Sequence, residues 1–149
     1  MRTSMAFLAM MFAAACASQR NNATVVAEPE IALQQLSSAP AAAEHETGGM
    51  PVQFRLSVAN TAAFPITLKR LDLQSVGSGG YEVNPTSLPF NVVIPPGSDV
   101  SVDFWVPAIA KTSVAGANGA VAVRLVSQFD SPSGVFQNVA VRQVMGRIQ

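Results

Sequence analysis

Pro51-Val52-Gln53-Phe54-Arg55-Leu56-Ser57-Val58-Ala59-Asn60 is the stretch on which the fold turns. Val52, Phe54, Leu56 and Val58 alternate with Gln53, Arg55, Ser57 and Ala59, a period of two. Successive side chains of a strand point to opposite faces, so the pattern predicts a half-buried strand with one apolar side. Asn60 to Phe64 reads as a turn. Beyond it Ile66 and Leu68 continue the alternation, and Leu71 and Leu73 resume it one residue out of phase. A one-residue slip would flip every later side chain to the other face. A β-bulge near Lys69-Arg70 absorbs the extra residue.

The same rhythm runs to the end of the chain. Gly77-Ser78-Gly79-Gly80 is a loop tip, followed by a short strand piece from Tyr81 to Val83. Phe90, Val92 and Ile94 form an alternating set between Pro89 and Pro95-Pro96-Gly97. Proline at both ends suits an edge strand, where a missing ladder donor costs little. Val100, Val102, Phe104 and Val106 alternate with Ser101, Asp103 and Trp105. Val121, Val123 and Leu125 alternate with Ala122, Arg124 and Val126, continuing towards Phe129. Asp130-Ser131-Pro132-Ser133-Gly134 is a turn signal. The last strand runs from Val135 through Val139 and Val141 to about Val144.

Upstream, a first strand follows Pro29 and covers Glu30 to Leu36. Ser37 to Met50, rich in Ala, Ser, Gly and Glu, reads as a long loop whose Ala-Ala-Ala-Glu piece is too short for a stable helix. The sum is seven or eight short strands separated by turn clusters, with no helix of useful length. That pattern predicts an all-β fold, an immunoglobulin/fibronectin-III-like antiparallel β-sandwich held by packing rather than by paired cysteines. A closed small barrel is the alternative.

The chain has 149 residues, 49% of them hydrophobic and only 12% charged, with nine basic and nine acidic side chains. Such a chain is core-rich and globular, of one domain. No basic field exists to hold nucleic acid. The N-terminus carries a different signal. Arg2, the apolar run Met5 to Phe12 and the small residues Ala13-Ala14-Ala15 precede Cys16, the only cysteine. A positive start, a short apolar core and small residues at a cut point describe a secretory signal peptide. At about 11 apolar residues the run falls well short of the ~20 that span a bilayer.

The cysteine placed after Ala13-Ala14-Ala15 resembles the lipobox of bacterial lipoproteins. That resemblance implies cleavage between Ala15 and Cys16 and acylation of Cys16, with palmitate as the type of chain attached. Ala15-Cys16-Ala17 is also an acceptable small-x-small site for ordinary cleavage after Ala17, which would remove the cysteine, but a single free thiol in an exported chain favours acylation. On the lipoprotein reading the chain divides into residues 1–15, a signal peptide; 16–28, a flexible polar tether; and 29–149, the β-sandwich. Ala17 is not aspartate, which by lipoprotein sorting habit implies the outer membrane, facing the periplasm.

A second resemblance spans about 80 residues. Pro29-Glu30-Ile31-Ala32-Leu33, Phe54-Arg55-Leu56-Ser57-Val58-Ala59-Asn60, Phe64-Pro65-Ile66-Thr67-Leu68 and Ile94-Pro95-Pro96-Gly97 follow one another as in the late-embryogenesis-abundant group 2 or water-stress-response (WHy) domain. Thr61 stands where that family often has proline. The resemblance implies an immunoglobulin-like domain and a protective role under dehydration, and its motifs are structural corners rather than chemistry.

Chemistry is sparse. His45, the only histidine, lies between Glu44 and Glu46 in the long loop and reads as a solvated residue. The glycine cluster at 77–80 lacks the following helix that a nucleophile elbow or phosphate cradle requires. Asp99 and Asp103 lie on one face of one strand, about 13 Å apart and too far to share an ion. Asp130 reads as capping its own turn. No catalytic, cofactor-binding or metal residue emerges.

Trp105 is the most suggestive side chain. By alternation it projects outward from its strand. Either the Ser37–Met50 loop or a neighbouring strand covers it, or it marks a binding surface. Val93, out of phase with its neighbours, hints at cover on its own face. The expectation is a non-enzymatic, lipid-anchored envelope protein acting as a structural or interaction module with an envelope protein partner. The alternative is a carbohydrate- or peptide-binding module using Trp105.

Overall fold

The computed structural model describes residues 27–38, 49–77, 79–110 and 120–145. Alternating apolar stretches become eight strands: β1 (Glu30–Ser38), β2 (Met50–Ala59), β3 (Ile66–Ser75), β4 (Tyr81–Val83), β5 (Thr86–Ile94), β6 (Asp99–Ala110), β7 (Val121–Ser131) and β8 (Gly134–Val144). They form two four-stranded sheets in the orders β1-β2-β6-β4 and β5-β3-β7-β8, and every pairing is antiparallel. The architecture is an eight-stranded β-sandwich. The chain stays within one sheet only at β1–β2 and β7–β8 and crosses between the sheets at each of the five connections from β2–β3 to β6–β7.

The inward face of each strand is the one that the period of two selects. Val52, Phe54, Leu56 and Val58 of β2 are buried, and they meet Leu71 and Leu73 of β3 and Val123, Leu125 and Phe129 of β7 in one core. Phe54 and Phe104 lie with ring centroids 6.1 Å apart, and Phe90 packs edge-on against Phe104 at 6.2 Å. Burying a large apolar side chain contributes about 1.5–3 kcal/mol, so this layer is the main source of stability.

The phase slip in β3 is a bulge. Against β7 the pairing steps from Leu68–Phe129 to Arg70–Gln128, so Lys69 is the inserted residue and Leu68 and Leu71 both face inward. Against β5 it steps from Leu68–Val92 to Arg70–Pro89, so there the extra residue lies in β5. β5 is an edge strand, as its prolines imply, but it begins at Thr86 and takes Pro89 into its body opposite Arg70. An edge strand needs donors on one side only, which is why proline is tolerated there. β1 runs on to Ser38, two residues beyond the expected end, with a register shift between Gln35 and Ser37.

β8 reads differently from its valines. Phe136, Ala140 and Val144 turn inward, whereas Val135, Val139 and Val141 are exposed. The phenylalanine stacks on Phe129 at 5.2 Å and sets the phase. The inward row also carries Arg142, whose guanidinium donates to the main-chain carbonyl of Ile31 in β1 at 2.9 and 3.1 Å. A cation turned inward on an edge strand discourages pairing with further strands.

Asn60 ties the two sheets at one end. Its Nδ2 donates to the carbonyls of Phe64, Ile94 and Pro95 at 2.9, 3.0 and 3.2 Å, and its Oδ1 accepts from the amide of Ala62 at 3.0 Å. Its main chain bonds Ser98 and Gly97. Gly97 has φ +66°, a left-handed conformation in which a Cβ is strained, and this permits the sharp Pro95–Ser98 corner. One buried amide therefore joins the β2–β3 turn to the β5–β6 corner.

At the other end Tyr81 of β4 is buried, and its hydroxyl donates to Gln35 Oε1 of β1 at 2.6 Å. β4 and β1 are the opposite edges of the first sheet, so this side chain spans the interior beneath β2 and β6. Burial raises the phenol above the usual tyrosine range.

Candidate binding face

Trp105 lies on β6, the third strand of the first sheet, directly opposite Gln53 of β2. Its outward phase follows from Phe104 and Val106, both buried, on either side of it. It is 51% exposed, and Ile109, on the same face of the same strand, is 49% exposed. Of the two fates that the sequence leaves open, exposure is the one found among the described residues. Residues 39–48 of the segment expected as cover lie outside them. A shallow recess of about 350 Å³ lies beside the indole, lined by Gly49, Pro51, Val106 and Pro107. Val93, expected to carry extra cover, is 59% exposed on the outer face of β5.

The rest of this face is polar and ordered in rows. One row from Trp105, Arg55 of β2 stands opposite Asp103 of β6. Arg55 Nε donates to Oδ1 at 2.7 Å and Nη2 to Oδ2 at 2.8 Å, a bidentate fork. Hydrogen bonding from Arg55, more than its charge, holds the Asp103 carboxyl below the ordinary carboxylate range. In the next row the hydroxyls of Ser57 and Ser101 meet at 2.8 Å. Sequence reasoning weighed Asp103 against Asp99 as an ion-binding pair. The structure gives Asp103 to Arg55 instead, a partner 48 residues away that only strand register could reveal.

Two further recesses are larger. One of about 590 Å³ runs along the flank between the sheets, where Asn138 Nδ2 donates to Glu28 at 3.4 Å beside Arg142 and Asp99. Another of about 470 Å³ lies on the outer face of the second sheet, beside Arg70, Asp72, Ser87 and Arg124. There burial pushes the Asp72 carboxyl up, but hydrogen bonds from Ser87 and Arg70 outweigh it and leave its pKa lowered. Neither recess contains an aromatic side chain.

Asp130 does not cap the β7–β8 turn; it lies in β7, paired with Val135 of β8 and Thr67 of β3, and Ser131 takes that role. Ser131 Oγ accepts from the Ser133 amide at 3.2 Å and donates to the Gly134 carbonyl at 2.8 Å. Among the described residues no group of three His, Cys, Asp or Glu side chains could hold a metal, and no helix is long and apolar enough to cross a membrane. Ala15, Cys16 and His45 lie outside the described residues.

Comparison with solved structures places this architecture among known sandwiches. A structural genomics target designated SoR45 superposes with a TM-score of 0.53 at 10% identity, covering 79% of this chain and 85% of its own. The putative ApaA protein from Bordetella pertussis gives 0.53 at 11% identity, over 82% and 96%. A protein from Archaeoglobus fulgidus gives 0.50 at 12%, over 80% and 98%. At such identities the likeness is one of fold. No protein-family model and no curated protein matches the sequence.

Proposed function

We propose that this protein is a non-enzymatic, lipid-anchored binding module of a bacterial envelope, with the outer face of the first sheet around Trp105 as its working surface. The observation that carries the reading is a half-exposed tryptophan on a central strand, beside side chains already locked by their own hydrogen bonds. A tryptophan left in water offers a large contact area at low entropic cost, and pre-paired neighbours need little reordering on binding.

Strand direction agrees with an N-terminal anchor at Cys16. β1 starts in the row of Ala59 and Asp99, whereas Trp105 shares a row with Gln53 and Ser37. Six residues of β2 and of β6 separate those rows, about 20 Å at the usual rise per residue. A tether over residues 16–28 would enter at the Asn60 end and hold Trp105 away from the bilayer. Outer-membrane sorting follows from Ala17 on the same reading.

The test has two arms. Labelled palmitate fed to cells making the full chain should appear in the protein and be lost in Cys16→Ala, which should also leave the membrane fraction. Capture from envelope extracts by the anchored protein should lose its partners in Trp105→Ala. An unlabelled wild type refutes the anchor, and identical capture by both proteins refutes the surface.

A second reading, the protective WHy-like module, is favoured by the Asn60 corner, where Asn60, Phe64, Ile94 and Pro95 of the resembling motifs meet. Protection of a labile reporter enzyme through drying, undiminished by Trp105→Ala, would favour this reading over the first.

A further inference from the structure

We infer that the Trp105 face takes an uncharged oligosaccharide, an inference that rests on the binding-module reading and narrows its ligand. Three features select this class. The first is an apolar strip with one aromatic ring: Trp105, Pro107 and Ile109 stand in succession on one face of β6, with Pro51 opposite Pro107. Such a strip suits the flat C–H side of a sugar ring.

The second is hydrogen-bonding capacity of both signs. In the Arg55–Asp103 fork Arg55 uses Nε and Nη2, which leaves Nη1 as a donor and further lone pairs on the Asp103 oxygens as acceptors. Both side chains remain accessible, at 44% and 37%. The Ser57–Ser101 pair continues the row with one further hydroxyl proton. From Trp105 through Asp103 to Ser101 the row is about 13 Å long, the span of a short oligosaccharide. Vicinal hydroxyls, each donor and acceptor, match such a row.

The third is charge. The fork is neutral as a pair, so among the described residues the ground beside Trp105 carries no net charge. Farther off, the same outward face carries Glu30, Glu82 and Asp99. An acidic polysaccharide would meet three carboxylates at the margins. β2 is flanked by β1 and β6, but β6 pairs with β4 only at Ala108–Ala110, so its other edge from Val100 to Val106 is open to an added strand and peptide binding is the competing outcome of the test.

The experiment uses the full chain in phosphatidylcholine vesicles, where Trp105 is the protein's only tryptophan. The probes are neutral hexasaccharides of β-1,4-glucose, β-1,4-N-acetylglucosamine and α-1,4-glucose, an oligogalacturonate of the same length, and a proline-rich decapeptide. At least one neutral sugar should shift the indole emission to the blue and saturate. By calorimetry its affinity should fall about tenfold or more in Trp105→Ala, and several-fold in Asp103→Asn, whose shape is conserved. Tighter binding of the oligogalacturonate overturns the inference. So does peptide binding without sugar binding, which leaves the Trp105 surface standing. No response to any probe, combined with envelope capture that Trp105→Ala does not change, removes both.

Discussion

Asn60 offers the sharpest test of how the sandwich is held. Its side-chain amide is 2% exposed and serves three carbonyls and one amide across two turns that are 34 residues apart in sequence. The NH2 group has two hydrogens for three acceptors, so the Pro95 contact, the longest at 3.2 Å, shares one of them. Asn60→Ala deletes these bonds and strands the Ala62 amide in a site where that residue is only 6% exposed. At about 1 kcal/mol for each net bond, and 1–3 kcal/mol for a buried group left unpaired, the loss is about 3–5 kcal/mol. Set against a typical 5–15 kcal/mol for a whole domain, that lowers the melting temperature by roughly 10 °C or more. Asn60→Asp is the discriminating variant. It keeps the acceptor for Ala62 but turns a carboxylate oxygen onto three carbonyl oxygens, so at pH 8 it should be less stable than the alanine variant. Burial and these carbonyls raise the pKa of the introduced acid in the folded state. Stability raised in this way is present at low pH and lost as pH climbs through the folded value, so Asn60→Asp should recover relative to wild type between pH 8 and pH 5. Urea unfolding with an unchanged slope measures both effects. If Asn60→Asp at pH 8 matches wild type, the amide is a spacer and the account of the corner is wrong.

Other expectations follow from the same geometry. Tyr81 is the only tyrosine in the chain, and burial raises its pKa; phenolate absorbance should therefore appear only together with loss of the near-ultraviolet circular dichroism signal at alkaline pH. Tyr81→Phe leaves Gln35, whose Nε2 already lacks a partner among the described residues, without its remaining bond. It should cost about 1–3 kcal/mol, and Tyr81→Phe with Gln35→Leu should restore most of that in urea melts. Gly97→Ala forces a Cβ into φ +66° with no atom within 4 Å to clash, so its cost of about 1–2 kcal/mol in urea unfolding is purely conformational, and Asn in its place should cost less. Asp103 has a lowered folded pKa, so its small contribution exists above about pH 4 and fades as pH falls through the folded value. Wild type and Asp103→Asn should converge in melting temperature in acid, and also in high salt at neutral pH.

Local chemistry made the strands legible. The bulge at Lys69 was visible because one residue of slip would have turned Leu71 and Leu73 outward, and Trp105 was placed outward by the phenylalanine before it and the valine after it. The last strand misled where both of its faces are apolar: Val135, Val139 and Val141 compete with Phe136, Ala140 and Val144, and only packing of Phe136 on Phe129 decides between them. The Arg55–Asp103 fork and the reach of Tyr81 to Gln35 depend on which strands become neighbours, and no local pattern encodes that. Asn60 starts a turn, as its local sequence implies; its bonds to Ile94 and Pro95 need the fold to bring the second corner against it.

Arg142 has a consequence for life in a crowd. Sandwiches with bare flanks tend to zip together into insoluble ribbons. Here the guanidinium clasps the β1 carbonyl of Ile31 from within β8, so an incoming strand would have to displace a charged group at the very seam where fibres would begin.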